Sequence, residues 1–290
     1  MNPQVSSFYD PATFTFTHVV YDREGGHAAV IDPVLDYDPA TARTSTDSAD
    51  RVLRFVRAKA LTLDWILETH AHADHLTAAA YLRRETGAKV AIGQGITRVQ
   101  ERFAALFGLE PDFPTDGSQF DRLFADGDTF AIGALEARVM ATPGHTDDSL
   151  TYLVGDAAFV GDTVFAPETG TARADFPGGD ARALYRSIRR LFDLPPDTRL
   201  FLCHDYPPGG REPLAQSSLD EQRQRNVHVG GGADEDAFAA MRGTRDAGLA
   251  APRLILPALQ VNIRAGELPP PDANGVRYLR LPLNRIGGEP

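Results

Sequence analysis

The stretch Thr69-His70-Ala71-His72-Ala73-Asp74-His75 constrains this chain more than any other. Four metal-capable side chains fall within six consecutive residues. The stretch follows the apolar run Trp65-Ile66-Leu67, which reads as a buried strand, and precedes Leu76 to Arg84, which reads as a helix. The cluster therefore lies where a strand stops and a helix begins. Its side chains can converge beyond the strand's carboxyl end, where open α/β sheets hold their ligands. Three imidazoles and a carboxylate are the donors of zinc, iron and manganese sites. A lone histidine is usually a packed or surface residue, but this density points to a metal.

The same placement recurs along the chain. Leu135 to Met140 reads as a strand running into Thr142-Pro143-Gly144-His145-Thr146, where Pro-Gly forces a turn. A hairpin pattern, Leu150 to Val154 with Ala158 to Val160, ends in Gly161-Asp162-Thr163. The glycine permits close backbone approach, and a carboxylate can cap one metal or bridge two. Thr198 to Leu202 reads as a strand ending in Cys203-His204-Asp205-Tyr206. Five of the eight histidines thus fall at strand ends. Asp32, closing the strand Ala28 to Ile31, reads equally as a turn residue or as a carboxylate orienting a metal-bound imidazole. His18, His27 and His228 read as histidines outside the ligand set, and Cys203 as buried packing.

Between Asp162 and the next helix lies a charged loop, Glu168 to Asp180. Arg173 is a candidate clamp for a substrate carboxylate, Asp175 a support for a ligand, and Asp180 an N-cap for a helix over Ala181 to Phe192. Phe14 to Val20 alternates as a strand and is expected to pair with Ala28 to Ile31. Asp36 to Ala49 reads as turn-rich, and Asp50 to Ala60 and Ile96 to Phe107 as amphipathic helices. In the last third, Leu219 to Val227 and Asp236 to Arg245 read as helices around a flexible Gly230-Gly231-Gly232 linker, with a final strand over Val276 to Leu281.

A chain of 290 residues can bury a sizeable core. Its net charge of −11 argues against nucleic acid and against anionic membrane surfaces as partners. One cysteine excludes an intrachain disulfide framework and suits a reducing, cytoplasmic location. No basic segment precedes an apolar one at the N-terminus, and no apolar run approaches the roughly 18 residues of a membrane span.

In order, His-x-His-x-Asp-His, Pro-Gly-His, Gly-Asp and His resemble the metallo-β-lactamase superfamily over about residues 12 to 206. The resemblance implies an α/β fold, the αββα sandwich of two mixed sheets flanked by helices. It implies a single domain over 1–290 with a C-terminal helical extension from about 213. It also implies one metal on His70, His72 and His145, a second on Asp74, His75 and His204, and Asp162 touching both. A finer resemblance, to the persulfide dioxygenases related to glyoxalase II, rests on Thr69 to Ala78, the Arg173-Ala174-Asp175-Phe176 loop, His204-Asp205-Tyr206 and the tail Leu256 to Gly266. After the third histidine, Asp147-Asp148-Ser149 departs from that family's frequent Pro-Gly-Cys.

That resemblance implies a single Fe(II) held by His70, His145 and Asp162, with the other ligand-type residues beside it. It implies oxidation of glutathione persulfide by O2 to sulfite and glutathione, with Arg173 and Tyr206 gripping the tripeptide. A homodimer is compatible with it. The alternative is a dinuclear hydrolase of the glyoxalase II type, with zinc or mixed metals, acting on a glutathione thioester. All seven ligand-type residues are present, so the ligand list alone does not separate the two.

Overall fold

A computed structural model describes residues 2–285. Two six-stranded sheets lie face to face. In the first, Gln4–Asp10, Thr15–Tyr21 and His27–Ile31 form an antiparallel meander, and Thr62–Leu67, Lys89–Gly93 and Arg122–Phe124 extend it in parallel. In the second, Thr129–Ile132, Leu135–Ala141, Leu150–Val154 and Ala157–Phe159 are antiparallel neighbours. Arg199–Phe201 then adds in parallel and Gln216–Ser218 closes the edge.

Three apolar layers follow from this arrangement. Between the sheets pack Val20, Ile31, Leu67, Phe124, Val139, Tyr152 and Phe159. Outside the first sheet, Val19, Val30 and Ile66 meet the helices Asp47–Ala58, Ala79–Thr86 and Ile96–Phe107. Outside the second, Ala158, Leu200 and Leu202 meet Ala181–Phe192, Leu219–Arg225 and Glu235–Asp246. Strands buried on both faces read as continuous apolar runs, and Ala28 to Ile31 is such a run. The architecture is the expected αββα sandwich. Among the described residues no helix is long and apolar enough to cross a membrane.

Several local expectations are corrected. Gln4–Asp10 is an edge strand that two serines and a weak alternation had hidden, and its pairing with Thr15–Tyr21 supplies the missing stability. Within the turn-rich Asp36 to Ala49, Val34–Asp38 pairs with Arg43–Ser45, and the helix starts at Asp47. Leu76 is not helical: Leu76–Thr77 pairs with Val34 and Leu35, and the helix starts at Ala79. The glycine run Gly230–Gly232 is a tight turn held by Asn226, not a flexible linker. Val276 to Leu281 forms no strand; Arg277 makes an isolated bridge to Pro271, and the Arg280 backbone is held by the Gln260 side chain.

The two sheets are stitched together at one edge. Phe16 donates to the Cys203 carbonyl at 2.7 Å, Thr15 bridges to His204, and Leu150 donates to the Thr69 carbonyl at 2.8 Å. The strand ends carrying the histidines therefore converge there.

Candidate metal centre

The loop after Thr62–Leu67 is fixed from three directions. Asp32, at a φ of 51°, accepts the Thr69 amide at 2.7 Å and the Thr69 hydroxyl at 2.9 Å. An aspartate tolerates this left-handed backbone better than a branched residue does. Asp148 accepts the Ala71 amide at 2.7 Å. From the C-terminal helix Ile255–Asn262, Asn262 donates to the carbonyls of His72 at 2.7 Å and His75 at 2.9 Å, and accepts from Thr77 at 2.9 Å. The tail thus reaches across to hold the ligand loop.

Two glycines let the remaining candidates approach. Gly144, at a φ of 134°, lies so close to the N-terminus of the helix Ala181–Phe192 that a Cβ would overlap the backbone of Leu184. Gly161, at a φ of 51°, lets the Asp162 turn lie against Thr69.

All seven candidates come together. His70, His145 and Asp162 form one group whose ligand atoms lie within 4.8 Å of one another, and His72, Asp74, His75 and His204 form another. His72 therefore groups with the second set rather than with His70 and His145. Asp162 stands between the sets: Oδ2 is 3.6 Å from His145 Nε2 and 4.0 Å from His70 Nε2, and Oδ1 is 3.4 Å from His204 Nε2. Asp74 Oδ2 is 3.1 Å from His204 Nε2.

The outward nitrogens of several of these rings are occupied. His145 Nδ1 contacts the Arg173 carbonyl at 2.8 Å, His70 Nδ1 the Thr69 hydroxyl at 3.1 Å, and His72 Nε2 Asp32 at 3.0 Å. Thr15 Oγ1 lies 3.4 Å from His75 Nδ1 and 3.3 Å from His204 Nδ1. The inward atoms are different: His70 Nε2, His72 Nδ1, His75 Nε2, His204 Nε2, Asp74 Oδ2 and Asp162 Oδ1 are buried with no hydrogen-bond partner among the described residues. Unpaired buried polar atoms are costly. Convergent sets of imidazole nitrogens and carboxylate oxygens such as these fit transition-metal ligation.

The electrostatics agree. Burial and then the neighbouring imidazoles push His70 and His72 well below the ordinary histidine range, so both rest in the neutral, ligating form. Burial raises the Asp162 carboxyl, opposed by His204 and His145. For His204, burial opposes the charge, but Asp162 and Asp74 outweigh it and raise the pKa. Burial also raises Asp32, Glu68 and Asp148, a set of carboxyls beneath the centre. Asp32 and Asp148 orient the ligand loop, and Asp148 is the second of the two acids, Asp147-Asp148, that follow His145 in the sequence.

A cavity of about 380 Å3 opens above the centre, with Ala73, Asp74, His145 and Asp162 among its lining. Phe165, Phe176, Leu249, Pro252 and Tyr206 supply apolar walls. Tyr206 is 43% exposed and stacks 6.0 Å from the His204 ring. Arg173 lines the cavity, but its guanidinium is committed. It donates to both Asp175 oxygens, at 2.6 and 2.7 Å, and to the Ala250 carbonyl at 2.6 Å. Gripping a substrate with it would mean breaking these bonds, and Asp175 serves Arg173 rather than a ligand. Cys203 is buried and its thiol is pushed well up by burial, consistent with packing.

Residues 12–204 match the family model of the metallo-beta-lactamase superfamily, and the chain belongs to that superfamily. A probable metallo-hydrolase of Burkholderia pseudomallei is 53% identical over 97% of this chain and 99% of its own. A beta-lactamase hydrolase-like protein of Xylella fastidiosa is 52% identical over 99% of this chain, which spans 66% of that relative's length. The human mitochondrial persulfide dioxygenase ETHE1 is 29% identical over 90% of this chain and 88% of its own. The crystal structure of ETHE1 from Myxococcus xanthus superposes with a TM-score of 0.72 at 32% identity, over 91% of this chain and 100% of that one.

Proposed function

We propose that the chain is a persulfide dioxygenase that converts glutathione persulfide, O2 and water into glutathione, sulfite and two protons. One Fe(II) would be held by His70, His145 and Asp162. The observation that carries this reading is the three-member group of two imidazoles and one carboxylate, with His145 and Asp162 lining the cavity. Iron bound by such a set supplies redox chemistry with positions left open for a sulfur ligand and O2. The chain's own residues do the rest. The Arg173 carbonyl and the Thr69 hydroxyl fix the two rings. Phe165, Phe176 and Leu249 keep the cavity apolar, which limits hydrolytic side reactions. Similarity to persulfide dioxygenases over most of the chain supports the same reading.

A second reading has its own support. His72, Asp74, His75 and His204 make a further complete ligand group, and the Burkholderia relative is named a metallo-hydrolase. A dinuclear centre would activate a hydroxide to attack a glutathione thioester. The deciding experiment is O2 uptake by Fe(II)-loaded protein given glutathione persulfide, beside a metal-stripped control. Uptake matched by sulfite, with one iron per chain, is expected. No uptake with iron bound, together with thioester cleavage by zinc-loaded protein, would establish the hydrolase instead.

A further inference from the structure

A second chamber, of about 630 Å3, adjoins the metal cavity. Arg173, Phe176 and Leu249 line both, so these three side chains form the partition between them. The partition is thin at Phe176. The ring that faces the chamber also lies 5.3 Å, edge to face, from the ring of His145. Arg173 clamps this wall. Its guanidinium carbon sits 4.8 Å from the centre of the Phe176 ring, and it donates to the Ala250 carbonyl at 2.6 Å. The rest of the chamber comes from elsewhere in the fold, with Phe103 and Leu106 on the helix Ile96–Phe107 and Ile255 on the C-terminal helix.

The charges around the chamber are spent within the protein. Arg102 donates to Asp147 at 2.8 Å and to the Pro177 carbonyl at 2.9 Å. Arg173 is paired with Asp175, and Asp246 with Arg242. Arg285, the remaining cation of the lining, is exposed to solvent. What is left for a ligand is apolar surface from Phe103, Leu106, Phe176, Leu249 and Ile255. Such a space offers no buried charge to hold sulfite or a carboxylate, and it suits a small apolar molecule. The proposed reaction has one such reactant. A site suited to its ligand buries about 70–90% of the ligand's surface. Glutathione persulfide seated in the metal cavity of about 380 Å3 therefore closes that cavity's own mouth. We infer that the second chamber is the entrance for dioxygen, and that dioxygen passes the Phe176 ring to reach the centre. The inference rests on the proposed function for the identity of the gas, and on the shared partition for the route. Partly exposed side chains rotate in picoseconds to nanoseconds, so a diatomic molecule can pass without movement of a loop.

The test fills the chamber from positions that do not line the metal cavity. Ala105→Trp and Ala251→Trp do so, and both positions are exposed, so the fold has room for the added bulk. In the whole Fe(II)-loaded protein given glutathione persulfide, each variant is expected to raise the KM for O2 about fivefold, as an obstructed access step does. The kcat at saturating O2, the KM for glutathione persulfide, the iron content and the melting temperature should stay at wild-type values. A change confined to one reactant's KM marks lost access rather than lost chemistry. A second readout needs no turnover. Nitric oxide association with the Fe(II) protein, followed by stopped-flow absorbance with glutathione occupying the metal cavity, should slow by about the same factor in both variants. Phe176→Ala, which thins the partition, should speed it.

An unchanged KM for O2 in both variants overturns the inference. So does a rise in the KM for glutathione persulfide, which would give the chamber to the thiol. The dioxygenase reading is judged separately by O2 uptake in the wild type. Uptake with an unchanged KM for O2 in the variants refutes the route alone. Without uptake, the nitric oxide rates still decide. Slower association in the tryptophan variants upholds the passage and leaves only the dioxygenase chemistry refuted, and equal rates overturn the passage as well.

Discussion

Asp32 and His72 form a buried pair in which Asp32 Oδ1 lies 3.0 Å from His72 Nε2, leaving His72 Nδ1 facing the centre without a partner. Both side chains are essentially inaccessible, and Glu68 Oε2 lies 3.6 Å from the same Nε2. The carboxylate fixes the ring's tautomer: with the proton on Nε2, the lone pair of Nδ1 points inward. Asp32 also holds the Thr69 amide and hydroxyl, so one residue sets both the ring and the start of the ligand loop.

Asp32→Ala should therefore weaken metal binding at the His72 group, in the two-metal case, about 10- to 100-fold, the range seen when a carboxylate behind a ligating imidazole is removed. Competition with a calibrated chelator measures it. Asp32→Asn, which also tolerates the positive φ, should lose less. Equal losses in the two variants would mean that the full carboxylate, with its charge and both acceptors, is what matters at this position rather than the volume it fills.

A ligand series separates the one-metal and two-metal readings. His145→Ala and Asp162→Ala should abolish iron binding and O2 uptake, because they dismantle the three-member group. His75→Ala should keep close to one iron per chain in the one-metal case, and should halve the metal content in the two-metal case. Elemental analysis of proteins purified from iron-supplemented cultures reads this directly.

Much of the centre was legible because strand ends in this fold carry local signals. His70, His145, Asp162 and His204 each come just after a short apolar run, and glycine directly precedes His145 and Asp162. Asp180 declared itself as an N-cap, and its carboxylate accepts the Arg182 amide at 2.8 Å. What could not be read was pairing decided at long range. Nothing local shows that the Arg173 guanidinium also reaches the Ala250 carbonyl, 77 positions away. Asn262 is likewise an ordinary helix residue until the fold brings it 190 positions back to the His72 carbonyl. Gln4–Asp10 is a strand only because Thr15–Tyr21 offers it seven partners.

Gly144→Ala should be severe. The residue combines a positive φ with a Cβ position that overlaps the Leu184 backbone, and its carbonyl accepts the Asp180 amide at 2.9 Å. Either the loop or the helix must move, which disturbs His145 next door. A loss of about 3 kcal/mol or more is expected for such a strained backbone site. Chemical denaturation measures it, and metal content should fall in parallel. Gly25→Ala, at a φ of 69° but with nothing within 4 Å of its Cβ, separates strain from overlap and should cost much less.

His18 makes acid lability specific. It is fully buried, with Nε2 2.9 Å from the Leu202 carbonyl and Nδ1 2.8 Å from the Ser7 hydroxyl, so it ties the first sheet to the strand end that carries His204. Burial, partly opposed by the Leu202 carbonyl and Asp32, pushes its pKa down to about 4. The unfolded chain holds the proton more readily, with a pKa near 6.5. The neutral form's advantage is therefore fully present above about pH 6.5, fades as pH falls, and is gone below about pH 4. The drop corresponds to about 3 kcal/mol. His18→Gln should be less stable than wild type at pH 7 but should lose less on acidification from pH 6.5 to 4.5. Metal release on acidification affects both proteins alike and cancels in the difference. Parallel stability curves for the two proteins would show that His18 does not set the acid limit.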